Sequence, residues 1–423
     1  MSYRKIKPSR FFYRKNHIIY FKERINEHMM TQTEQEKLTD MKKYNYFEVF
    51  SGYDDDELGL IDFIQDFREC CKALTESKIL KIHYKKYFDH RSAVILTFKR
   101  LSPLKLDTNV IDNIEIDNIP FEEFYNNELC KKGSILFLDE TYKGKEVQCY
   151  GYDYSSFYPY ILGGSDLKIP LKKPTFHKLA SLDYDSLQYG IYHVKITTKD
   201  PSFLKKFRFS KNDRYTHYCL SYAYKNKDKY GLEFQLMDSE NNAALYDESC
   251  LIDSKTVFGR WYEVIVLGLK KENKNMLTKH LSSSLWGYLF ENKKLNLTNR
   301  EVEELPEGTI SQKNDPSPTE YKIIKERLVY ENDIPVSNFT VVKKDEAYKY
   351  NIARMKVFML SYSRCFIGKM IDDEQIEDSV IRIHTDGIVL NKPHTFKSAY
   401  SSISEDKTTG SIIFKNVNVY YKQ

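Results

Sequence analysis

The chain has 423 residues, 41% of them apolar, which is enough for two or three domains with their own cores and too apolar for a disordered tail. Sixty-five Lys and Arg against 60 Asp and Glu leave a formal charge of only +5, so affinity for a polyanion has to come from local patches. The seven cysteines are odd in number and none lies in a Cys-x-x-Cys pair, which argues against a disulfide framework or structural zinc and for free thiols in a reducing compartment.

The opening residues lack the apolar core of a signal peptide, and no stretch approaches the ~18 uncharged apolar residues of a membrane span. A cytoplasmic, non-secreted protein with no membrane partner is expected. Aromatic content is high, with 34 Tyr and 25 Phe but only Trp261 and Trp286. Rings stack on bases while ammonium groups meet phosphates, so a Tyr- and Lys-rich surface suits nucleic acid; an A/T-rich coding sequence yields the same composition.

In chain order, residues 1–24 carry Arg4, Lys5, Lys7, Arg10, Arg14, Lys15, Lys22 and Arg24 against Glu23, with Phe11, Phe12 and Tyr13 interleaved, the best local basic patch. Residues 55–78 show apolar positions at helical spacing after an acidic start and predict an amphipathic helix. The runs KILKIHYKKYF (78–88) and SAVILTFKRL (92–101) predict strands of a small α/β module, and the Asp/Asn/Ile-rich stretch 107–120 a linker. CKKGSILFLDET (130–141) and GKEVQCYGYDYSSFYPYILGG (144–164) read as strands running into a turn. Residues 185–260 alternate short β-like runs, YGIYHVKITT, YGLEFQLM and TVFGRWYEVIVLGL (256–269), with charged turns, and read as an insertion. A helix follows over 270–294, then a polar region (295–347) with Pro306, Pro316 and Pro318, a long helix over 347–373, and a strand, tight turn and strand over 379–393, where Asp-Gly between apolar runs signals a hairpin.

Asp153 closes an apolar strand and Asp386 sits at the hairpin tip, a layout that lets two strands of one sheet hold divalent ions. Lys279, Ser283 and Trp286 fall at spacings that share nearly one helix face, suited to a triphosphate at one end and a base at the other. Each segment alone is ordinary turn or helix chemistry.

Taken in order, the three segments resemble the polymerase motifs of family B DNA polymerases, specifically the protein-primed branch of bacteriophages and linear plasmids, over roughly residues 125–423. DYSSFYP (153–159) looks like D-x-x-S-L-Y-P with Phe157 for Leu; KHLSSSLWG (279–287) is similar to K-x-x-x-N-S-L-Y-G with Ser283 for Asn and Trp286 for Tyr; IHTDGIVL (383–390) resembles the D-T-D-S hairpin with His384 for the first Asp and Gly387 for Ser.

The resemblance implies an α+β, right-hand fold with an antiparallel palm sheet. Its parts would be an N-terminal module (1–124) without recognisable exonuclease motifs, palm (125–180), an insertion of the priming-protein-binding type (181–260), fingers (261–294), a second insertion of the strand-displacement type (295–346) and the rest of the palm (347–423). The Lys-x-Tyr primer motif has only Asn418-Val419-Tyr420 as a degenerate counterpart, so the thumb looks absent or minimal.

The implied function is template-directed addition of dNTPs to a DNA primer-template in viral, phage or mobile-element replication, in the host cytoplasm if viral, with two Mg2+ ions (Mn2+ as a substitute). A priming terminal protein and a separate exonuclease or processivity subunit are implied partners. By the same resemblance Asp153, Asp386 and the backbone carbonyl of Tyr154 are metal ligands; Ser156 and Lys279 hold the triphosphate, with Lys271 and Lys274 as further phosphate contacts. Tyr158 is the steric gate against a 2′-hydroxyl, and Ser283 and Trp286 line the nascent base pair. Arg364, Lys131 and Lys132 contact DNA, while Thr385 and Gly387 shape the hairpin. CKKG (130–133) stands where the family has an aromatic-x-Gly-Gly loop and departs from it at Cys130 and Lys132. His384 removes a negative charge beside the ions, which implies retained activity with altered metal preference. The alternatives are a non-catalytic, polymerase-like DNA-binding subunit of a replication complex, and an RNA-templated enzyme, against which Tyr158 argues.

Overall fold

A computed structural model describes residues 8–16, 18–40, 43–49, 53–76, 90–103, 135–272, 276–291, 294–311, 320–331, 334–343 and 354–422. The chain divides into two units. The first comprises Met1–Leu106, Tyr158–Asp166 and Ser254–Tyr288, the second Asp107–Phe157, Leu167–Asp253 and Leu289–Gln423. The run 78–88, the linker 107–120 and residues Cys130, Lys131, Lys132 and Lys274 lie outside the described residues.

In the first unit, Ser9–Lys15 pairs antiparallel with Ile18–Lys22, which pairs with Met30–Gln32, and pairs parallel with Asn45–Glu48. Alternation along Ser9–Lys15 sends Phe11 toward helix Glu57–Glu76, where it meets Phe63 and Phe67, and sends Phe12 toward Ile19 and Phe21. The helix forms because Leu60, Phe63, Ile64, Phe67, Cys70 and Leu74 recur on one buried stripe, and the Asp56 carboxylate caps it by accepting from Gly59 N at 2.8 Å.

Two cations of the basic patch, Arg10 and Lys22, are turned inward, while Arg14, Lys15 and Arg24 stay exposed. Arg10 is buried, with Glu23 at 2.9 Å, Asp40 at 2.7 Å and the Tyr44 ring at 3.5 Å. Arg14 pairs with Glu34 and Glu48, and the buried Lys22 with Glu57. Arg10 and Lys22 are thus neutralised within the fold and are not a ready phosphate surface.

Two expected strands are helices. SAVILTFKRL lies within helix His90–Leu101, because Val94, Ile95, Phe98 and Leu101 share a buried stripe and Phe98 stacks on Phe258 at 4.9 Å. TVFGRWYEVIVLGL forms helix Ser254–Trp261 running into a wide π-helical segment, Tyr262–Leu269, that buries Ile265, Val266 and Leu269. Its β-branched residues suggested a strand, but the buried positions Val257, Phe258, Trp261 and Ile265 follow helical spacing. Helix Met276–Ser283 then begins where the Asp66 carboxylate accepts from Met276 N at 3.1 Å.

The second unit is built on a mixed α/β arrangement around an antiparallel seven-stranded sheet. Its order is Tyr420–Lys422, Gly410–Phe414, Glu146–Tyr154, Gly387–Leu390, Val380–His384 and Leu136–Leu138, with Ile403–Glu405 also pairing Glu146–Tyr154. Cys149, Ile381, Val389, Ile412 and Phe414 form its core. Helix Arg354–Glu374, in the place expected for a long helix, is heavily buried. A five-stranded sheet covers 175–245, and a four-stranded sheet fills most of the polar region 294–343.

Helix His217–Lys225 packs against helix Arg354–Glu374, where Gly368 admits the close approach: a Cβ there would lie 2.7 Å from Lys206 O and from the Tyr222 hydroxyl. Beside it, His217 sits among Tyr189 and Tyr218, with Gly190 N donating to its Nδ1 at 3.4 Å. Burial pulls its pKa down to about 3, so the folded state keeps it neutral while the unfolded chain takes up a proton from about pH 6.5 downward. Stability is therefore lost as pH falls below about 6.5, with a slope approaching ~1.4 kcal/mol per pH unit from this group. Chemical denaturation between pH 7.5 and pH 5 is expected to show that slope, and His217→Gln, which keeps an acceptor for Gly190, to flatten it by about one proton.

Candidate active site

Along Glu146–Tyr154 the side chains alternate, Tyr152 and Tyr154 into the core and Asp153 to the opposite, exposed face. Asp153 is opposite Gly387 in the antiparallel pairing with Gly387–Leu390. Gly387 follows Asp386 directly, so pairing alone brings the two carboxylates together. A Cβ on residue 387 would lie 3.6 Å from Asp153 Oδ1, so the glycine leaves this space open.

The hairpin closes on the pair His384 and Gly387, with Thr385 and Asp386 as its two loop residues. The left-handed backbone falls on Thr385 (φ 66°), two residues before the glycine that the Asp-Gly signal singled out. A β-branched residue held there is strained, and the sheet holds it from both sides. Thr385 N donates to Ile135 O at 3.2 Å, and Tyr154 N donates to Asp386 O at 3.3 Å. His384 is in contact with Asn418, its Nε2 3.2 Å from Oδ1. The sequence flagged both residues as departures from motifs; nothing in it indicated that they meet.

Burial pushes the Asp386 pKa up to about 7, and the nearby Asp153 charge adds to the rise. A carboxyl raised by burial beside a second carboxylate suits a divalent cation, which would favour the charged form of Asp386. Among the described residues no group of three or more His, Cys, Asp and Glu side chains is placed to hold a metal, so Asp153 and Asp386 stand as a pair. One or two carboxylates suffice for Mg2+ when substrate phosphates and water complete the shell.

After Asp153 the strand ends sharply. Ser155 N donates to Ser402 O at 2.9 Å, and Ser156 takes a positive φ of 58° that turns the chain into helix Phe157–Gly163. Beneath the turn, Tyr154, Phe157 and Phe366 form an aromatic cluster with centroids 5.3 to 5.8 Å apart.

In the first unit, Lys279 and Ser283 lie exposed on helix Met276–Ser283, where Ser283 Oγ donates to Lys279 O at 2.8 Å. The helix breaks at Ser284, so Trp286 belongs to the separate turn Leu285–Leu289 rather than to a continuous face with Lys279. Trp286 instead packs on Tyr158 with ring centroids 4.7 Å apart, joining two residues chosen from different motifs. Lys271 is exposed at the end of Lys270–Glu272. Arg364 differs from expectation: it is buried in the second unit, its guanidinium donating to Ser361 Oγ at 2.9 Å and lying 3.9 Å from Cys219 Sγ, so it ties helices together where a DNA contact was expected.

No protein-family model matches the sequence, and no curated protein matches it. Among solved structures, the chain is similar to phi29 DNA polymerase complexed with single-stranded DNA (TM-score 0.45, 14% identity, 86% of this chain and 56% of that one). It is also similar to the same polymerase in its ternary complex with primer-template DNA and incoming nucleotide substrates (TM-score 0.46, 15% identity, 86% and 57%) and in an orthorhombic crystal form (TM-score 0.46, 13% identity, 92% and 60%). The chain thus spans less than two thirds of the length of these neighbours.

Because the folded-state pKa of Asp386 is raised, its contribution to stability is present below about pH 4 and is lost as pH rises through about 7. Asp386→Asn in metal-free protein is therefore expected to raise stability at pH 8 by roughly 2 kcal/mol. The gain should disappear toward pH 4, as read by denaturant titration at the two pH values.

Proposed function

We propose that this chain is a template-directed DNA polymerase of the protein-primed family B type, acting in the replication of a virus, phage or mobile element. The observation that carries the reading is the register of one strand pair: Asp153 opposite Gly387, beside Asp386, on neighbouring antiparallel strands.

Asp153 and Asp386, with the backbone carbonyl of Tyr154, are the groups suited to hold two Mg2+ ions, Mn2+ substituting. Bound there, the ions supply Lewis acidity at the primer hydroxyl and charge neutralisation at the leaving pyrophosphate. The chain's own residues bind and orient. Ser156, at the strand-to-helix turn, is suited to a triphosphate, and Lys279 is a compact, exposed ammonium suited to phosphate, with Lys271 and Lys274 as further cations. The Tyr158 ring, backed by Trp286, excludes a 2′-hydroxyl, while Trp286 and Ser283 present a flat apolar face and a hydroxyl to the nascent base pair. A rigid ring pair limits the space available to the sugar better than a lone ring, because each blocks the other's rotation. Thr385 and Gly387 keep the hairpin tip narrow, and His384, held by Asn418, takes the place of a carboxylate without adding negative charge. DNA primer-template and dNTPs are the substrates. A priming protein and a separate nuclease or processivity subunit are proposed partners.

Extension of a labelled primer-template with dNTPs and Mg2+ tests the reaction. Asp153→Ala and Asp386→Ala are each expected to reduce incorporation by roughly three orders of magnitude. Undiminished extension in both would remove the site, and intact DNA binding without incorporation under any metal would favour the non-catalytic subunit. Mg2+ is expected to raise the Tm of the unaltered chain but not of Asp386→Asn. In the same assay Tyr158→Val is expected to raise ribonucleotide use relative to deoxynucleotide use. Trp286→Ala should raise the KM for dNTP with a smaller effect on kcat, since it removes a stacking face and leaves the carboxylates in place. Label from a dNTP appearing on a candidate priming polypeptide, rather than on DNA, would identify the protein-primed mode.

A further inference from the structure

The seven-stranded sheet ends at Leu136–Leu138. Thr385 N donates to Ile135 O at 3.2 Å and Asp139 N to Ile381 O at 2.8 Å, so residues 135 and 139 face the inner ladder. In an antiparallel pair every second residue does so, and the amides and carbonyls of Leu136 and Leu138 therefore point outward. This edge pairs with no other strand among the described residues.

The edge borders a groove of about 970 Å3. Leu136, Leu204, Phe207 and Phe209 line it, and Leu136 and Leu204 are 45% and 44% exposed, unusual for such large apolar side chains. The far wall is fixed in advance. Phe203 and Phe207 stack in the core at 4.9 Å, and between the rim residues Lys205 and Arg208 the buried Lys206 is anchored to Asp372 and to Glu377. The lining carries Lys143, Lys205, Arg208 and Lys211 against Asp139 and Glu140, a basic balance.

We propose that this edge accepts an extended, acidic segment of a partner protein as an added β-strand. Its main chain pairs with Leu136 and Leu138, its apolar side chains lie against Leu204, Phe207 and Phe209, and its carboxylates meet Lys205, Arg208 and Lys211. The outward amides and carbonyls recur at strand spacing, which suits a polypeptide, and the largely apolar lining suits alternate side chains better than a phosphate backbone. Neither Asp153 nor Asp386 takes part, so this surface stands or falls separately from nucleotide addition.

A display library of random linear peptides selected on the full chain, followed by fluorescence anisotropy with the enriched peptide, tests it. Enriched sequences are expected to alternate apolar residues and to carry Asp or Glu. Leu136→Pro removes one outward amide and leaves the inner ladder intact, and is expected to weaken binding roughly tenfold or more. Arg208→Glu combined with Lys211→Glu is expected to do the same, and Asp153→Ala to leave peptide binding unchanged. Should Leu136→Pro fail to fold, the charge reversal decides alone. The proposal is overturned if no acidic sequence is enriched or if both variants bind the peptide as the unaltered chain does. It is equally overturned if single-stranded oligothymidylate displaces the peptide, which would assign the groove to nucleic acid, or if the chain self-associates through this edge and loses that association in Leu136→Pro, which would assign it to a second copy.

Discussion

The register between Glu146–Tyr154 and the hairpin Val380–Leu390 is the constraint on which the candidate site depends. Side chains alternate across a strand, so a slip of one residue would turn Asp153 into the core and bring Tyr152 and Tyr154 to the surface. Burying those two tyrosines therefore fixes where the carboxylate points. The hairpin contributes the second carboxylate by a costlier device, a left-handed Thr385 pinned by Ile135 on one side and, through Asp386, by Tyr154 on the other. Two like charges share the resulting space, one of them largely desolvated. That arrangement opposes stability in the bare protein and favours a cation, a combination found where a fold gives up stability for chemistry.

Several cations elsewhere in the molecule are used internally. Arg10, Lys22 and Lys206 are buried with carboxylate partners, and Arg364 is buried against Ser361 and Cys219. Removing the partner of such a cation is severe, because the orphaned charge stays desolvated. These residues fix the angles between elements, and the near-neutral composition hides the distinction between cations that hold the fold and cations that face solvent, such as Lys279 and Lys271. Aromatic residues divide in the same way. Tyr189, Tyr192 and Tyr215 are core residues, whereas Tyr158 and Trp286 are half-buried and in contact with each other. Part of the high tyrosine content is thus a packing fact.

Leu136–Leu138 and the wall 201–211 show a different economy. Among the described residues this edge of the central sheet pairs with no further strand and lies beside an apolar trough, where a short strand and a basic rim limit indiscriminate pairing.

The sequence by itself determined the local elements whose period was unambiguous: helix Glu57–Glu76, the hairpin around Asp386, the long helix ending near Glu374, and the candidate residues Asp153, Asp386, Tyr158 and Trp286. Motif spacing sufficed for these because each lies within one element or one turn. Only the tertiary structure decided the rest. Short apolar runs such as 92–101 and 256–269 are compatible with strand or helix, and packing of Phe98 on Phe258 selects the helix. Whether Arg10 or Arg364 faces solvent depends on carboxylates, hydroxyls and thiols far away in the chain, as does the contact of His384 with Asn418. The meeting of Asp153 with Asp386 across more than half the chain is a matter of strand register, which long-range burial sets and local propensity does not encode.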